Sequence, residues 1–226
     1  MELPSWRPQA MNNPVGIQTM GSSSSPIYRA ALDRIQDFHL FPGAKVADVG
    51  GGRGNFSRLL AERGYRVILL DYTPDCSEDA FDVRACDLNK HWPAETGEFD
   101  AVISLAVIEH VENPRHFMRE VCRIAKPNSQ ILLSTPNQHS LTSRVCFLTR
   151  NQHQHFQDSC YPGHITALLE CDLQRISREC GATEQFITYT DHGRIPGTKK
   201  KWRRFFPFLR GQLFSDNILF SCRAPG

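Results

Sequence analysis

KVADVGGGRGNFSRLL, residues 45–60, reads as a strand, a glycine turn and the opening of a helix. Val46, Ala47 and Val49 form a short apolar run suited to a parallel strand buried on both faces, and Phe56, Leu59 and Leu60 then recur at helical spacing. Between them stand Gly50, Gly51, Gly52 and Gly54. A residue without Cβ tolerates positive φ, so the turn can be tight and can let a ligand approach the main chain. The helix that follows aims free N–H groups and a partial positive charge at whatever lies above the turn, which suits a nucleotide-like ligand carrying an anionic group. A dinucleotide fingerprint wants glycine at the first, third and sixth places; counting from Gly50, the third is Gly52 but the sixth is Asn55. The spacing therefore points away from a dinucleotide.

The chain around this turn has 226 residues, enough for one α/β domain with elaborations and a sizeable core. Hydrophobic content of 40% and charged content of 22% are those of a globular protein, and a net charge of +2 singles out no class of partner. The eight cysteines are scattered and form no C-x-x-C pair, which favours reduced thiols used as small hydrophobes over a disulfide framework. No basic stretch followed by an apolar one opens the chain, and no apolar run is long enough to span a bilayer, so the expected location is cytoplasmic.

Taken in order, residues 1–26 are rich in proline, asparagine and serine and are expected to form a flexible leader. Residues 27–226 are expected to form a single domain. Ile27, Ala31, Ile35 and Phe38 mark a helix that Phe41-Pro42-Gly43 ends. After Gly64, residues 66–71 read as a second buried strand with Asp71 at its tip. In an open α/β sheet the ligand lies over the carboxyl ends of the strands, and an acid about 20 residues beyond the glycines can accept from both ribose hydroxyls. Residues 72–81 are too few for a full crossover helix, so a short helix or loop is expected there. A third strand, residues 82–86, ends in Asp87-Leu88. A fourth, residues 99–105, leads into IEHVENP and then a helix whose buried stripe includes Phe117, Met118, Val121, Cys122 and Ile124. A fifth strand, residues 130–134, runs into Thr135-Pro136-Asn137. Residues 166–180 read as a helix ended by Gly181, and residues 185–190 and 217–222 as two last strands. Strands alternating with helices predict a doubly wound, mostly parallel sheet.

Three features agree in order and spacing: the Asp48-Val49-Gly50-x-Gly52-x-Gly54 motif, the acids Asp71 and Asp87, and the FDAVISL strand followed by IEHVENP and a strand ending in STPN. On these, residues 28–190 resemble class I S-adenosylmethionine-dependent methyltransferases, most of all ubiquinone-biosynthesis-like O-methyltransferases and small bacterial surface-sugar methyltransferases. The resemblance implies a Rossmann-like α/β fold whose seven-stranded sheet ends in an antiparallel pair. It also implies S-adenosyl-L-methionine as cofactor, with S-adenosyl-L-homocysteine as product. Gly50, Gly51, Gly52 and Gly54 would then hold the methionine end, Asp71 the ribose, and Asp87 with the Leu88 N–H the adenine. The Leu105 carbonyl would take the methionine amine, and Asp48 and Tyr72 complete the cofactor-binding set.

The donor methyl group is already activated, so the protein has chiefly to align acceptor and sulfur and to exclude water. A hydroxyl acceptor also needs its proton removed by a base, or its pKa lowered by a metal. Glu109, His110 and His164 are the catalytic candidates, with His110 or His164 as general base or acceptor-orienting group; a loop-shaping hydrogen-bond network is the structural alternative for Glu109 and His110. In some relatives an E-x-x-E-H motif with a further histidine holds a divalent metal. Here Ala106 replaces the first carboxylate, so no metal is expected, and Glu109, His110 and His164 remain the alternative ligand set. His153, His155 and Cys160 match no standard zinc spacing. Residues 138–164 are expected to be a polar, acceptor-side insertion with Phe147, Phe156 and Tyr161 on its apolar side.

Residues 194–214 form a second insertion. Lys199, Lys200, Lys201, Arg203, Arg204 and Arg210 are mixed there with Trp202, Phe205, Phe206, Phe208 and Leu209. A solvated charged loop whose aromatics pack on the sheet is one reading. Among functional readings, peripheral contact with a membrane surface through residues 199–210, or with a lipid-linked acceptor, is preferred to nucleic acid, because the rest of the chain has no basic excess. The acceptor is expected to be a small molecule, a glycan or a lipid-linked compound. Two alternatives remain open: a non-catalytic relative that docks on a membrane surface, and an RNA methyltransferase.

Overall fold

The computed structural model describes residues 23–72 and 81–226. In chain order these give α1 (Ser25–Gln36), β1 (Lys45–Val49), α2 (Asn55–Ala61), β2 (Arg66–Asp71), β3 (Asp82–Ala85) and β4 (Phe99–Leu105). Then follow a 3₁₀ turn at Ile108–His110, α3 (Pro114–Ile124), β5 (Ala125–Pro136), α4 (Leu141–Arg150), α5 (Glu170–Glu179), β6 (Thr183–Tyr189) and β7 (Asn217–Arg223). The strands form one seven-stranded sheet in the order β3-β2-β1-β4-β5-β7-β6. β1 pairs in parallel with β2 and with β4, as β2 does with β3 and β4 with β5, whereas β7 runs antiparallel to both β5 and β6. The expected α/β class, the mostly parallel sheet and the antiparallel end are all present.

Alternation along the strands splits the core into two layers. Ala47, Val49, Ile68, Leu70 and Val102 face Phe117 and Val121 of α3 and Leu173 of α5. Val46, Leu69, Ala101 and Ile103 face Ile27 and Ile35 of α1 and Phe56 and Leu60 of α2. Because the chain runs outward from β1 to β3 and then returns to β4, the sheet has its topological switch between β1 and β4. Sheets of this kind have their ligand crevice over the carboxyl ends of the strands at that switch.

Three elements depart from the sequence reading. β5 begins at Ala125 rather than at residue 130: it pairs first as Phe99↔Ala125 and resumes as Ala101↔Gln130, so the residues between, including Pro127 and the positive-φ Asn128, loop out of register. α5 begins at Glu170 rather than at residue 166, because the backbone N–H groups of Ile165 and Thr166 donate to the Glu109 carbonyl at 3.0 and 3.1 Å and the Thr166 hydroxyl donates to the Val111 carbonyl. The 138–164 insertion contains α4, capped by the Ser140 hydroxyl accepting from the Ser143 N–H, where no helix was expected. The expected leader, residues 1–26, lies outside the described residues up to residue 22, and α1 starts at Ser25. Residues 73–80, where a short helix or loop was expected, also lie outside them.

Candidate active site

The glycine turn leaves β1 with Gly50, Gly52 and Gly54 at φ of 73°, 57° and 71°, a region that side chains rarely adopt. Space is as restrictive as the dihedrals. A Cβ on Gly50 would stand 2.5 Å from Val107, and one on Gly51 would stand 2.4 Å from the Asp48 carboxylate. Buried Asp48 accepts a 2.6 Å hydrogen bond from the Ser57 hydroxyl, and burial pushes its carboxyl up to about 7. Asp71, at the tip of β2, accepts from the Gly52 N–H at 2.8 Å, so the second strand's terminal acid and the turn form one unit.

The remaining cofactor candidates lie along the same edge. Tyr72 is exposed just beyond Asp71. Asp87 closes a turn by accepting from the Asn89 N–H and pairs with Lys90 at 3.1 Å, while Leu88 packs against the core and its carbonyl accepts from the Trp92 indole. The Leu105 carbonyl, at the tip of β4, accepts from the Ser23 hydroxyl at 2.9 Å. The Ser23 N–H in turn donates to the Tyr28 hydroxyl of α1. Nothing in a polar N-terminal run signals this contact across the sheet edge, and sequence reasoning missed both Ser23 and Tyr28.

Past Leu105 the chain turns sharply. Ala106 has φ of 57° and donates from its N–H to the carbonyl and hydroxyl of Ser134 on β5. The 3₁₀ turn that follows carries Glu109 inward: its side chain is fully buried, neither carboxyl oxygen has a hydrogen-bond partner, and burial pushes its pKa up to about 8. The Thr135 hydroxyl near the end of β5 is likewise buried without a partner.

His110 and His164 complete the group. The Nδ1 of His110 meets the Gly163 carbonyl at 2.7 Å, and the Nδ1 of His164 meets the His155 carbonyl at 2.7 Å. A carbonyl only accepts, so each Nδ1 carries the hydrogen and each Nε2 keeps its lone pair. Burial holds the His110 imidazole down to about 4, against which the Gly163 and Ala106 carbonyls partly compensate, and burial also lowers His164. One donor atom from each of Glu109, His110 and His164 lies within 4.8 Å of the other two. Residues 55 apart in sequence are held together because the Glu109 carbonyl accepts from the N–H groups of Ile165 and Thr166 in the loop entering α5.

The insertion behaves differently from its expected layout. Phe156 packs on His164 with ring centres 5.4 Å apart, but Phe147 stacks on His153 and Tyr161 is 70% exposed, so these two do not form an apolar wall with it. His153 bonds with the Ser143 hydroxyl and His155 with Arg194, and neither joins the Glu109 group.

A family profile for a methyltransferase domain matches residues 25–183. A ubiquinone biosynthesis O-methyltransferase of Xanthomonas oryzae is 29% identical over 157 residues, which cover 60% of this chain and 65% of that protein. A mitochondrial ubiquinone biosynthesis O-methyltransferase of Schizosaccharomyces pombe is 33% identical over 124 residues, 50% of this chain and 45% of that protein. The chain thus spans less than two thirds of the length of these relatives. Among solved structures, a SAM-dependent methyltransferase from Archaeoglobus fulgidus superposes with a TM-score of 0.65 at 21% identity, covering 92% of this chain and 97% of that one. A Haemonchus contortus phosphoethanolamine N-methyltransferase in complex with S-adenosyl-L-methionine gives 0.59 at 13% identity, covering 88% and 53%.

Proposed function

The chain belongs to the class I S-adenosylmethionine-dependent methyltransferase family, and from that premise we propose that it transfers a methyl group to a hydroxyl of a small, sugar or lipid-linked acceptor. The observation that carries this reading is the convergence of Glu109, His110 and His164 within 4.8 Å, with Glu109 and His110 on the 3₁₀ turn just beyond the tip of β4. The glycine turn and Asp71 would hold the methionine and ribose ends of the cofactor, and Asp87 with Leu88 would receive the adenine.

When bound, S-adenosylmethionine would supply an already activated methyl group, so the work left to the chain is orientation and proton removal. The unprotonated ring nitrogen of His110 or His164, its partner nitrogen fixed by a backbone carbonyl, would accept the acceptor's hydroxyl proton as the O–CH₃ bond forms and the donor's S–CH₃ bond breaks, leaving S-adenosyl-L-homocysteine. Glu109, neutral at pH 7 by burial, then orients these rings or the acceptor rather than serving as the resting base. Incubation with methyl-labelled cofactor and cell extracts, followed by mass spectrometry and NMR, should find the label on oxygen and lose it in His164→Ala. Label on nitrogen or carbon, or none at all, would contradict the hydroxyl reading.

A metal-assisted variant is favoured by one specific fact: a ring nitrogen from each of two imidazoles and an orphaned carboxyl, all within 4.8 Å of one another, are a usable donor set without the carboxylate that Ala106 replaces. Glu109, His110 and His164 would hold the ion, and imidazole-rich donors suit zinc or iron better than magnesium. A bound ion would lower the pKa of the acceptor hydroxyl. Metal analysis after titration with zinc should show one equivalent retained, and none in His110→Ala; no retention by the native chain leaves the histidine-base form alone.

A further inference from the structure

We propose that the 194–214 segment is a rigid docking knob for an anionic lipid bilayer. This goes beyond the methyl-transfer reading and does not depend on it. The base of the segment is firmly anchored. Arg194 and Lys201 face each other in an antiparallel bridge, and both pair with buried Asp216, at 2.7 and 3.3 Å. The Gly193 N–H donates to the Phe214 carbonyl, and the Gly211 N–H donates to the Asp191 carboxylate. Trp202 packs beneath, against Phe206 and Phe214.

What this base presents is amphipathic. Residues 203–208 are consecutively exposed and read Arg-Arg-Phe-Phe-Pro-Phe, with Phe205, Phe206 and Phe208 at 48%, 43% and 74% exposure. A monomeric domain rarely leaves such a contiguous aromatic patch in water without a use. Beside it, Lys199, Lys200, Lys201, Arg204 and Phe205 line a shallow pocket of about 530 Å³. Among the described residues, no acid pairs with Lys199, Lys200, Arg203, Arg204 or Arg210, so their charge is available to a partner.

Cations around protruding phenylalanines match a surface of lipid phosphates over an apolar interior. RNA fits less well. Base stacking needs open ring faces, whereas Phe206 and Phe208 meet edge to face at 6.1 Å, and Lys200 sits over the Phe205 ring at 5.7 Å. No helix is long and apolar enough to cross a membrane among the described residues, so the contact is peripheral.

The test is co-sedimentation of the full chain, without cofactor, with vesicles of phosphatidylcholine alone or mixed with phosphatidylglycerol. Binding is expected to the mixed vesicles, to weaken in molar salt, and to be much poorer on phosphatidylcholine alone. Lys199→Glu with Lys200→Glu should lower it at least about tenfold, since each basic residue near such a surface contributes roughly fivefold. Phe206→Ser with Phe208→Ser should lower it comparably, with circular dichroism unchanged; should that pair fail to fold, Phe208→Ser alone supplies the readout. No binding of the folded chain to anionic vesicles would overturn the proposal. So would undiminished binding in both sets of variants, or binding of an RNA oligonucleotide in place of vesicles.

Discussion

His110 and His164 meet edge to face with ring centres 4.7 Å apart, each with its Nδ1 against a backbone carbonyl. Each imidazole brings one ring nitrogen within 4.8 Å of the other's and of a Glu109 carboxyl oxygen. This is an arrangement for taking a proton or a metal, and it costs stability below about pH 6.5, because burial lowers both rings and so disfavours their charged forms.

His164→Ala should therefore reduce methyl transfer by about 10² to 10⁴, the usual worth of a positioned base, while leaving cofactor affinity within about twofold. The comparison is single-turnover rate against calorimetric affinity. An equal loss in both would assign His164 to the fold.

Glu109 and His110 give pH dependences of opposite sign. The Glu109 carboxyl is raised from 4.5 to about 8, so between those values the folded chain holds a proton that the unfolded chain has lost, and stability falls as pH rises across the interval. His110 is lowered from 6.5 to about 4, so there the unfolded chain binds the extra proton, and stability falls as pH drops across that interval. Glu109→Gln should melt higher than the native chain at pH 8.5 and close to it at pH 4.5. Parallel melting curves at all pH values would refute the assignment.

Gly51→Ala would force a Cβ to within 2.4 Å of both the Asp48 carboxylate and the Leu69 side chain. A loss of about 1–3 kcal/mol in unfolding free energy is expected, as for an overpacked core, together with loss of cofactor binding. Denaturant titration measures the first and calorimetry the second.

Ser23→Ala should tighten cofactor binding by a few-fold. The serine hydroxyl occupies the Leu105 carbonyl that the methionine amine is expected to use, and one hydrogen bond of this kind contributes about 0.5–1.5 kcal/mol. Weaker binding would instead make Ser23 a cofactor contact.

The legible part of the sequence is where one residue type answers one local demand. The glycines of residues 50–54, Asp71 at a strand tip and the apolar run of residues 99–105 each announce their place, and the doubly wound, mostly parallel sheet follows from the alternation of strands with helices. The start of α5 was hidden because a backbone pairing with Glu109, invisible to periodicity, claims residues 165 and 166. α4 was hidden because it buries only Thr142 and Ser143 and so shows no apolar stripe. The meeting of His164 with His110 depends on carbonyls of Gly163 and His155, whose orientation is a property of the folded loop.

The central claim is that the crevice over β1 and β4 holds S-adenosylmethionine through the unit formed by Asp71 and the Gly52 N–H. Calorimetric titration of the native chain and of Asp71→Ala tests it most directly. The account predicts one site for S-adenosylmethionine on the native chain, no comparable affinity for NAD, and at least about tenfold weaker binding in Asp71→Ala, the loss expected for hydrogen bonds to a charged group. Preference for NAD, or equal affinity in the two chains, would contradict it.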